Sequence, residues 1–336
     1  MVDDLEAAVG AVVEDVHVHT AGGWDVRVTN PDGGTGALPA GFVVTETATD
    51  PQEPNDSIGQ ASGPLTQGVA TSSYACREGD VDFFKISVPS GYAKLAATLT
   101  NIPYGCDFDL SLFNSAGRQI GHSGNGGNTN ELIELASPAA GQYYIEVIAY
   151  TGFSKDNPYR VSFALTPPPA IATVSPAGGV PGTAVTINGS GFGAIKDGSY
   201  VTFGGVQCAN NLYLSWNPGK IVVRVPSGVG GRVPVTVVTG VGRSGSPNFW
   251  VNPKIDRLGA TRGKVGSYIA ISGQGFGNWG GAATIVYFGK VKAVAYKSWS
   301  NYTITVKVPG GIKGTVAVKV VTTGGTSGTK NFAVAP

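Results

Sequence analysis

The chain contains the stretch Thr183-Ala-Val-Thr-Ile-Asn-Gly-Ser-Gly-Phe-Gly193 and, 84 residues further on, the stretch Ser267-Tyr-Ile-Ala-Ile-Ser-Gly-Gln-Gly-Phe-Gly277. Both begin with apolar residues at alternate positions and end in Gly-x-Gly-Phe-Gly. Alternation with a period of two is typical of a β-strand with one buried face. Strands rather than a helix flank the glycines, so the motif does not indicate a dinucleotide-binding loop.

The surroundings of these stretches repeat as well. Three further landmarks recur at a constant offset of 83 residues: Trp216 and Trp299, Val225 and Val308, and Phe249 and Phe332. Runs of β-branched residues at 220–225 and 302–308 lie between turns rich in Gly, Pro, Asn and Ser. This pattern predicts two copies of one β-sandwich module, at about 167–252 and 253–336.

Composition favours an all-β fold and excludes several protein classes. Of 336 residues, 51 are Gly and 21 are Pro, while 42% are hydrophobic and only 13% are charged. A long helical protein needs more Glu, Lys and Leu, and a disordered one needs less apolar content and a larger net charge than +1. No apolar run approaches the roughly 20 residues of a membrane span. We therefore predict an all-β chain of tandem β-sandwiches.

Two further units precede the repeats. A different sandwich is predicted at 49–166, and Pro167-Pro-Pro169 is a stiff linker after it. Residues 1–48 match only the second half of the repeat, with strands expected at 16–19, 24–29 and 41–44 and a turn at 30–34. Half a sandwich exposes apolar surface and strand edges, so we expect other residues, in this chain or another, to complete it.

The first residues, 1–15, carry five acidic side chains and lack the basic start and apolar run of a secretory signal. This pattern indicates either a processed or trimmed chain or export by another route, such as release inside a virus particle.

Cysteine usage leaves two interpretations. The three cysteines, Cys76, Cys106 and Cys208, cannot all pair within one chain. Cys76 and Cys106 lie in one predicted domain and form a candidate disulfide, which would close a loop of about 30 residues and stabilise by about 3–4 kcal/mol. The alternative is two small buried thiols.

The repeated module resembles the IPT/TIG immunoglobulin-like domain. The resemblance rests on the two quoted stretches, on Val201-Thr-Phe-Gly204, on the Val-Pro pair at 225–226 and on the closing Phe249. It implies an immunoglobulin-like fold and leaves function open, because the family occurs in receptors, transcription factors, sugar-processing enzymes and bacterial surface proteins. Residues 1–48 resemble the end of such a domain.

Residues 49–166 resemble the bacterial pre-peptidase C-terminal domain. The motifs that carry this resemblance are Glu53-Pro-Asn-Asp-Ser57, Gly79-Asp-Val-Asp-Phe-Phe84, Cys106-Asp-Phe-Asp-Leu110 and Gly141-Gln-Tyr-Tyr-Ile-Glu-Val147. The resemblance implies a jelly-roll-like sandwich that accompanies secreted peptidases and whose relatives bind calcium and, in some cases, collagen.

Oxygen-bearing side chains collect at the start of this domain. Calcium takes six to eight oxygen ligands in flexible geometry, and the resemblance implies a metal site at these positions. The predicted calcium ligands are Glu53, Asn55, Asp56, Asp80 and Asp82. The alternative is a set of solvated turn residues. Asp107 and Asp109 are two residues apart on one predicted strand and therefore share a face. Because their carboxylates repel each other, a cation between them would be favourable, and they form a candidate second metal pair.

The sequence predicts no catalytic site. It contains no zinc-protease helix motif, no Gly-x-Ser-x-Gly elbow and no phosphate loop followed by a helix. The three histidines, His17, His19 and His122, have no evident catalytic partners. We therefore predict that the chain is not an enzyme.

Aromatic residues provide candidate contacts. Tyr150, Phe153 and Tyr159 lie close together in a polar setting. Trp216 and Trp299 are matched between the repeats and are predicted to pack in the cores. Trp279 has no counterpart in the other copy, so we predict that it contacts a partner.

Charge is strongly polarised along the chain. Residues 1–166 carry 20 acidic and 7 basic side chains, residues 167–252 carry 1 and 5, and residues 253–336 carry 1 and 11. The basic end is expected to bind an anionic polymer or the acidic end of another copy. The predicted contacts are Lys290, Lys292, Lys297, Lys307, Lys313 and Lys319. We expect Lys290, Lys292 and Lys307 to share one sheet face.

These observations predict a non-enzymatic extracellular protein that acts in adhesion or assembly at a surface, with calcium as its cofactor. The expected partners are a protein or polysaccharide surface, or other copies arranged head to tail, and nucleic acid is disfavoured. Three alternatives remain open: a virion surface or decoration protein, the accessory C-terminal region of a secreted peptidase, and a carbohydrate-binding module.

Overall fold

The computed structural model describes residues 22–29, 33–44 and 50–336. Strands dominate, and the helices of the described residues are three single turns of 3₁₀ helix at Ile58–Gln60, Asn210–Leu212 and Gly281–Ala283. No helix in these ranges has the length and hydropathy needed to cross a membrane. The predicted all-β class is confirmed.

Two compact units are formed by the described residues. The first is drawn from the described residues up to Ser87 and from Ala97–Ile133 and Gln142–Phe163, and the second from Val88–Ala96, Glu134–Gly141 and Ala164–Pro336.

The N-terminal strands form a hairpin. Strand β1 (Gly22–Thr29) pairs antiparallel with β2 (Thr35–Val44), and a bulge lies between Trp24 and Val26. The strands predicted at 24–29 and 41–44 are confirmed. The strand predicted at 16–19, with His17 and His19, lies outside the described residues, and completion of the half-module by other residues stays a prediction.

Residues 50–166 form a sandwich that we call the jelly roll. Its strands are β3 (Thr71–Ala75), β4 (Val81–Val88), β5 (Lys94–Thr100), β6 (Asp107–Asn114), β7 (Gln119–Ser123), β8 (Glu131–Ala136), β9 (Gly141–Thr151) and β10 (Ser154–Thr166). One sheet has the order β3-β10-β5-β8 and the other β4-β9-β6-β7. Two four-stranded sheets with this order make an eight-stranded jelly roll. The fold implied by the resemblance is therefore confirmed.

Strand alternation separates the core of the jelly roll from its surface. In β6, Phe108, Leu110 and Leu112 are fully buried, whereas Asp107 and Asp109 alternate with them and are half-buried. In β10, Tyr159 is fully buried, so the expectation that it is an exposed contact residue is wrong. Its ring packs edge-on against Phe108 at a centroid distance of 5.8 Å, which makes it part of the core.

The first repeat (167–252) has the immunoglobulin-like arrangement. Its strands are β11 (Ala170–Ser175), β12 (Gly178–Gly179), β13 (Ala184–Ser190), β14 (Tyr200–Phe203), β15 (Val206–Gln207), β16 (Tyr213–Asn217), β17 (Lys220–Arg224), β18 (Gly231–Thr239), β19 (Gly242–Arg243) and β20 (Asn248–Val251). One sheet has the order β11-β13-β17-β16, and the other has β12-β20-β18-β14-β15 with β19 beside β18. These orders correspond to the two sheets of an immunoglobulin sandwich.

The second repeat (253–336) has the same topology. Its strands are β21 (Lys254–Leu258), β22 (Arg262–Lys264), β23 (Tyr268–Gln274), β24 (Ile285–Phe288), β25 (Val291–Lys292), β26 (Tyr296–Trp299), β27 (Thr303–Lys307), β28 (Thr315–Thr322), β29 (Gly325–Thr326) and β30 (Lys330–Ala335). Its sheets have the orders β21-β23-β27-β26 and β22-β30-β28-β24-β25, with β29 beside β28. The two predicted sequence repeats therefore have the same strand topology.

Matched contacts hold the two cores. Phe203 and Phe249 meet edge to face at 5.3 Å, as do Phe288 and Phe332 at 5.6 Å. The Trp216 indole donates to the Phe192 carbonyl at 3.0 Å, and the Trp299 indole donates to the Phe276 carbonyl at 3.3 Å. Both tryptophans pack against the cores of their repeats, as predicted.

The candidate disulfide is not formed. Cys76 and Cys106 are thiols, the first half-buried and the second buried. Cys76 follows β3 and Cys106 precedes β6, which belong to opposite sheets of the jelly roll.

Candidate functional site

Three carboxylates meet at the entrance of the jelly roll. Glu53 and Asp56 lie on the irregular segment before the first 3₁₀ turn, and Asp80 lies in the turn before β4. Their nearest oxygens all lie within 4.8 Å of one another. In the described part of the chain, this is the one group of three or more acidic, His or Cys side chains with that spacing.

Arg77 neutralises part of this cluster. Its guanidinium pairs with Asp56, and it lies 3.2 Å from Oδ1 of Asp80. The Asp80 Oδ2 atom accepts a hydrogen bond from the Cys76 amide at 2.6 Å. The site therefore already holds one cationic group, which a bound metal ion would have to displace.

Asn55 is the least satisfied side chain of the site. It is fully buried, and neither atom of its amide has a hydrogen-bond partner. Its backbone amide donates to Glu53 at 2.8 Å, and its carbonyl accepts from Phe83 at 2.8 Å, so the backbone holds the side chain in place. A buried, unpaired amide oxygen on the segment that carries Glu53 and Asp56 fits the oxygen ligand set of calcium.

Asp82 lies outside the group of three close carboxylates. Its Oδ2 atom accepts a hydrogen bond from the buried Tyr159 hydroxyl, and its Oδ1 atom has no partner. Three of the five predicted ligands, Glu53, Asp56 and Asp80, are therefore brought together, and the roles of Asn55 and Asp82 as ligands stay predictions.

Burial and crowding raise the carboxyl pKa values here. Burial raises the pKa of Glu53 and of Asp80, and neighbouring carboxylates raise both further, although backbone hydrogen bonds and Arg77 oppose these effects. Burial raises the pKa of Asp82 to about 8, with a smaller contribution from the charge of Asp80. Burial and neighbouring charge therefore disfavour the ionised carboxyl at Glu53, Asp80 and Asp82.

We expect Asp82→Asn to remove a pH dependence of stability. The folded pKa of Asp82 is about 8 against an ordinary value of 3.8, so the folded chain keeps a proton that the unfolded chain loses. Stability therefore falls as pH rises through this window. In chelator at pH 8, the variant should melt about 5 °C or more above the wild type, and the two should converge near pH 4. The exposed Asp156→Asn is the control, and parallel melting profiles for all three chains would contradict the assignment.

Asp107 and Asp109 lie side by side on β6 without a third close ligand. Burial is the main cause that raises the pKa of Asp109. The charge of His122 lowers this pKa, and the charges of Asp107 and Glu131 raise it. One oxygen of Asp107 is buried and has no hydrogen-bond partner. The repulsion expected from alternation is present, and a metal ion at this pair stays a prediction.

Trp279 belongs to an aromatic cluster of the second repeat. Its ring lies 4.7 Å from that of Tyr296 and 5.3 Å from that of Trp299, and the latter two rings are 5.5 Å apart. Trp279 is 49% exposed, whereas Tyr296 and Trp299 are half-buried. The first repeat has only the equivalent pair Tyr213 and Trp216, at 5.7 Å. We call Trp279, Tyr296 and Trp299 the aromatic platform.

The six predicted lysines do not share one face. Lys290 lies in a turn and Lys313 in a loop, whereas Lys292 and Lys319 belong to the sheet of β24, and Lys297 and Lys307 to the opposite sheet. The expected common face of Lys290, Lys292 and Lys307 is therefore wrong. The chain crosses from one sheet to the other between β25 and β26, which separates Lys307 from Lys292.

Sequence reasoning missed two residues of these sites. Arg77 lies three residues before Asp80, and its position in the turn was the only signal that it could reach the carboxylates. Tyr296 was detectable, because it lies 83 residues after Tyr213 in the repeat register. The Tyr296 hydroxyl accepts from the Val286 amide at 2.9 Å, which fixes the ring below Trp279.

Family profiles match most of the chain. The IPT/TIG domain matches residues 169–249 and 253–334, and the bacterial pre-peptidase C-terminal domain matches residues 80–149. A cyclomaltodextrin glucanotransferase from Paenibacillus macerans is 31% identical over 141 residues, which are 39% of this chain and 19% of that protein. The chain thus spans about a fifth of the length of this curated relative.

Solved structures with related domains have low identity to this chain. A surface glycan-binding protein from Prevotella bryantii is 15% identical with a TM-score of 0.33, and 49% of this chain and 41% of that one are covered. The pre-peptidase C-terminal domain of a Bacillus anthracis collagenase is 17% identical with a TM-score of 0.25, and 30% and 90% are covered. By its family matches and its strand order, the chain contains one bacterial pre-peptidase C-terminal domain followed by two IPT/TIG domains.

Proposed function

We propose that this chain is a non-catalytic, carbohydrate-binding part of an extracellular protein and that it binds a glucan on the aromatic platform. The observation that carries the proposal is Trp279, which is half-exposed and supported from below by Tyr296 and Trp299. An indole held in this way presents a flat apolar face to the solvent. Such a face suits the apolar face of a sugar ring.

Comparison of the repeats supports a binding role for the platform. Both repeats need the Tyr–Trp pair for their cores, since Tyr213 and Tyr296 accept equivalent backbone hydrogen bonds at 2.7 and 2.9 Å. The first repeat folds without an equivalent of Trp279. The added indole is therefore not required by the fold, and its exposure has a cost that binding would offset.

The curated relative supports the choice of ligand. It is named as an enzyme that transfers glucan, and the segment it shares with this chain is a small part of its length. An accessory segment that holds a polysaccharide near a catalytic domain fits this relation. Extracellular location is part of the same proposal, because polymeric glucans lie outside cells that degrade or adhere to them.

We expect Trp279→Ala to weaken binding to soluble starch by about tenfold to a hundredfold, the usual effect of removing a central aromatic contact. The measurement is affinity electrophoresis or calorimetry with the purified chain. Trp250→Ala is a matched control, because Trp250 is 41% exposed but lies in the first repeat outside the platform. Starch binding that is equal in the wild type and both variants would refute the platform, and no binding to any neutral glucan would refute the function.

We also propose that calcium binds at Glu53, Asp56, Asp80 and Asn55 and stabilises the jelly roll. The support is the close approach of the three carboxylates and the buried, unpaired amide oxygen of Asn55. When bound, the ion would supply positive charge to oxygens that Arg77 neutralises only in part. A structural role fits this site, since an ion there would join the segment that carries Glu53 and Asp56 to the turn that carries Asp80.

The charge distribution favours a second candidate function, surface adhesion through head-to-tail assembly. Residues 1–166 have 20 acidic and 7 basic side chains, and residues 253–336 have 1 and 11. Opposite charges at the two ends of the sequence support association of one copy with the next. Sedimentation over a salt series tests it, because charge-driven association declines as salt screens the contact.

A further inference from the structure

A row of three side chains crosses one sheet of the second repeat. Tyr287 on β24 is opposite Lys292 on β25 and opposite Lys319 on β28. Val286, Phe288, Val318 and Val320 alternate with these residues and are fully buried, so the row points away from the core. The Lys319 ammonium lies 5.2 Å from the centre of the Tyr287 ring. We call Lys292, Tyr287 and Lys319 the basic row.

The first repeat shows what the fold itself requires at this place. There the equivalent row is Gln207, Thr202 and Thr236, in the same register on the same strands of the sandwich. Neutral, small side chains are therefore sufficient for this sheet. The two lysines and the tyrosine of the second repeat add two charges and an aromatic ring without a structural need.

The charge of the row has little compensation within its own domain. Residues 253–336 contain one acidic side chain, Asp256. That carboxylate lies 3.0 Å from the Lys254 ammonium. No other Asp or Glu of this domain exists to neutralise Lys292 or Lys319, so an anionic ligand has to come from outside it.

We propose that the basic row binds an anionic polysaccharide, one that carries carboxylates along its chain. This site goes beyond the proposed function, because the row lies on the sheet opposite the strand that carries Tyr296 and Trp299 and would take a charged polymer. Neighbouring strands are about 4.8 Å apart, so the two lysines stand about 10 Å apart across Tyr287. A polysaccharide can place a sugar ring on the tyrosine and carboxylates beside the ammonium groups on either side. Charge-assisted hydrogen bonds and ring stacking then act on one stretch of polymer.

The experiment compares two double variants of equal charge. Lys292→Ala/Lys319→Ala removes the basic row's charges, and Lys297→Ala/Lys313→Ala removes two charges from the opposite sheet and from a loop. Affinity for polygalacturonate should fall at least tenfold in the first variant and less than threefold in the second. Tyr287→Ala should also weaken binding, and Tyr287→Phe should retain it. Soluble starch serves as the neutral probe.

The outcomes separate this inference from the proposed function. Equal losses in the two double variants would overturn the basic row, because net charge alone would then explain the binding. Starch binding without polygalacturonate binding would overturn the row and leave the proposed function intact. A third outcome is that the chain binds polygalacturonate but not starch, and that this binding needs the basic row and is unchanged in Trp279→Ala. This outcome would support the row and reject the platform. The assignment of a polysaccharide ligand would also be overturned if the row bound single-stranded DNA more tightly than polygalacturonate. Self-association that depends on the row, without polygalacturonate binding, would overturn it as well.

Discussion

Replacing Gly189 by Ala should unfold the first repeat at temperatures well below those that the wild-type chain tolerates. A Cβ atom at this position would lie 1.9 Å from the Ala170 carbonyl oxygen and 2.5 Å from the ring of the fully buried Phe192. One neighbour is strand backbone and the other is a core ring, so neither can move without breaking the pairing of β11 with β13. We expect a loss of about 3 kcal/mol or more and a melting temperature lower by about 10 °C or more.

Gly240→Ala is the matched control in the same repeat. No atom lies within 4 Å of a Cβ built there, and the backbone does not have a positive φ that disfavours alanine. Its effect should be within about 1 kcal/mol, with stabilisation expected because alanine restricts the unfolded chain. Calorimetry of the full chain measures both variants. A Gly189→Ala transition that coincides with that of Gly240→Ala would contradict the steric argument.

Gly189 and its counterpart Gly273 in the second repeat explain why the fold of the repeats was predictable. Gly273 meets the Lys254 carbonyl oxygen at 2.0 Å and the Phe276 ring at 2.5 Å, the same environment as Gly189. The Gly-x-Gly-Phe-Gly motif therefore encodes a contact that no other residue type permits. Because it recurs with Trp216 and Trp299 in register, the sequence alone establishes both sandwiches and their strand pattern.

The jelly roll was less visible in the sequence. Strands β4, β5, β6, β9 and β10 are apolar or alternate cleanly, which is typical of a sandwich. Strands β3, β7 and β8 were not recognised; Thr71–Ala75 and Gln119–Ser123 are short and mostly polar, and Glu131–Ala136 is short and carries two charges. Their positions in the sheets depend on pairing with distant strands, which local pattern does not report.

The candidate sites show the same difference between features set by local sequence and features set by distant strands. Spacing along the sequence brought Glu53, Asn55 and Asp56 together, since they share one short segment. It did not reveal the hydrogen bond of Asp82 with Tyr159, which is 77 residues away, and it failed for Lys307, which lies on the sheet opposite Lys292. Long-range strand pairing decides which side chains face each other. The residues of a site were therefore predictable where they are neighbours in the sequence, and they were not predictable where they are brought together by distant strands.

Calcium should raise the melting temperature of the jelly roll by about 10–20 °C. A site filled a hundredfold above its dissociation constant adds about 2.7 kcal/mol, and each kcal/mol shifts the melting of a domain of this size by about 4–8 °C. The gain arises because the ion relieves the repulsion among Glu53, Asp56 and Asp80 and pairs the buried oxygen of Asn55. Calorimetric melting of the chelator-treated chain with and without calcium measures it.

Variants distinguish a specific site from general screening by a divalent ion. Asp80→Asn should abolish the calcium shift, whereas the exposed Asp156→Asn should keep it. Arg77→Ala gives the sharper test, because its guanidinium pairs with Asp56 and Asp80 and competes with the ion. That variant should melt earlier in chelator, yet bind calcium more tightly and show a larger shift. An equal shift in Asp80→Asn and the wild type, or a smaller one in Arg77→Ala, would mean that calcium acts elsewhere and that Arg77 is itself the permanent cation of this site.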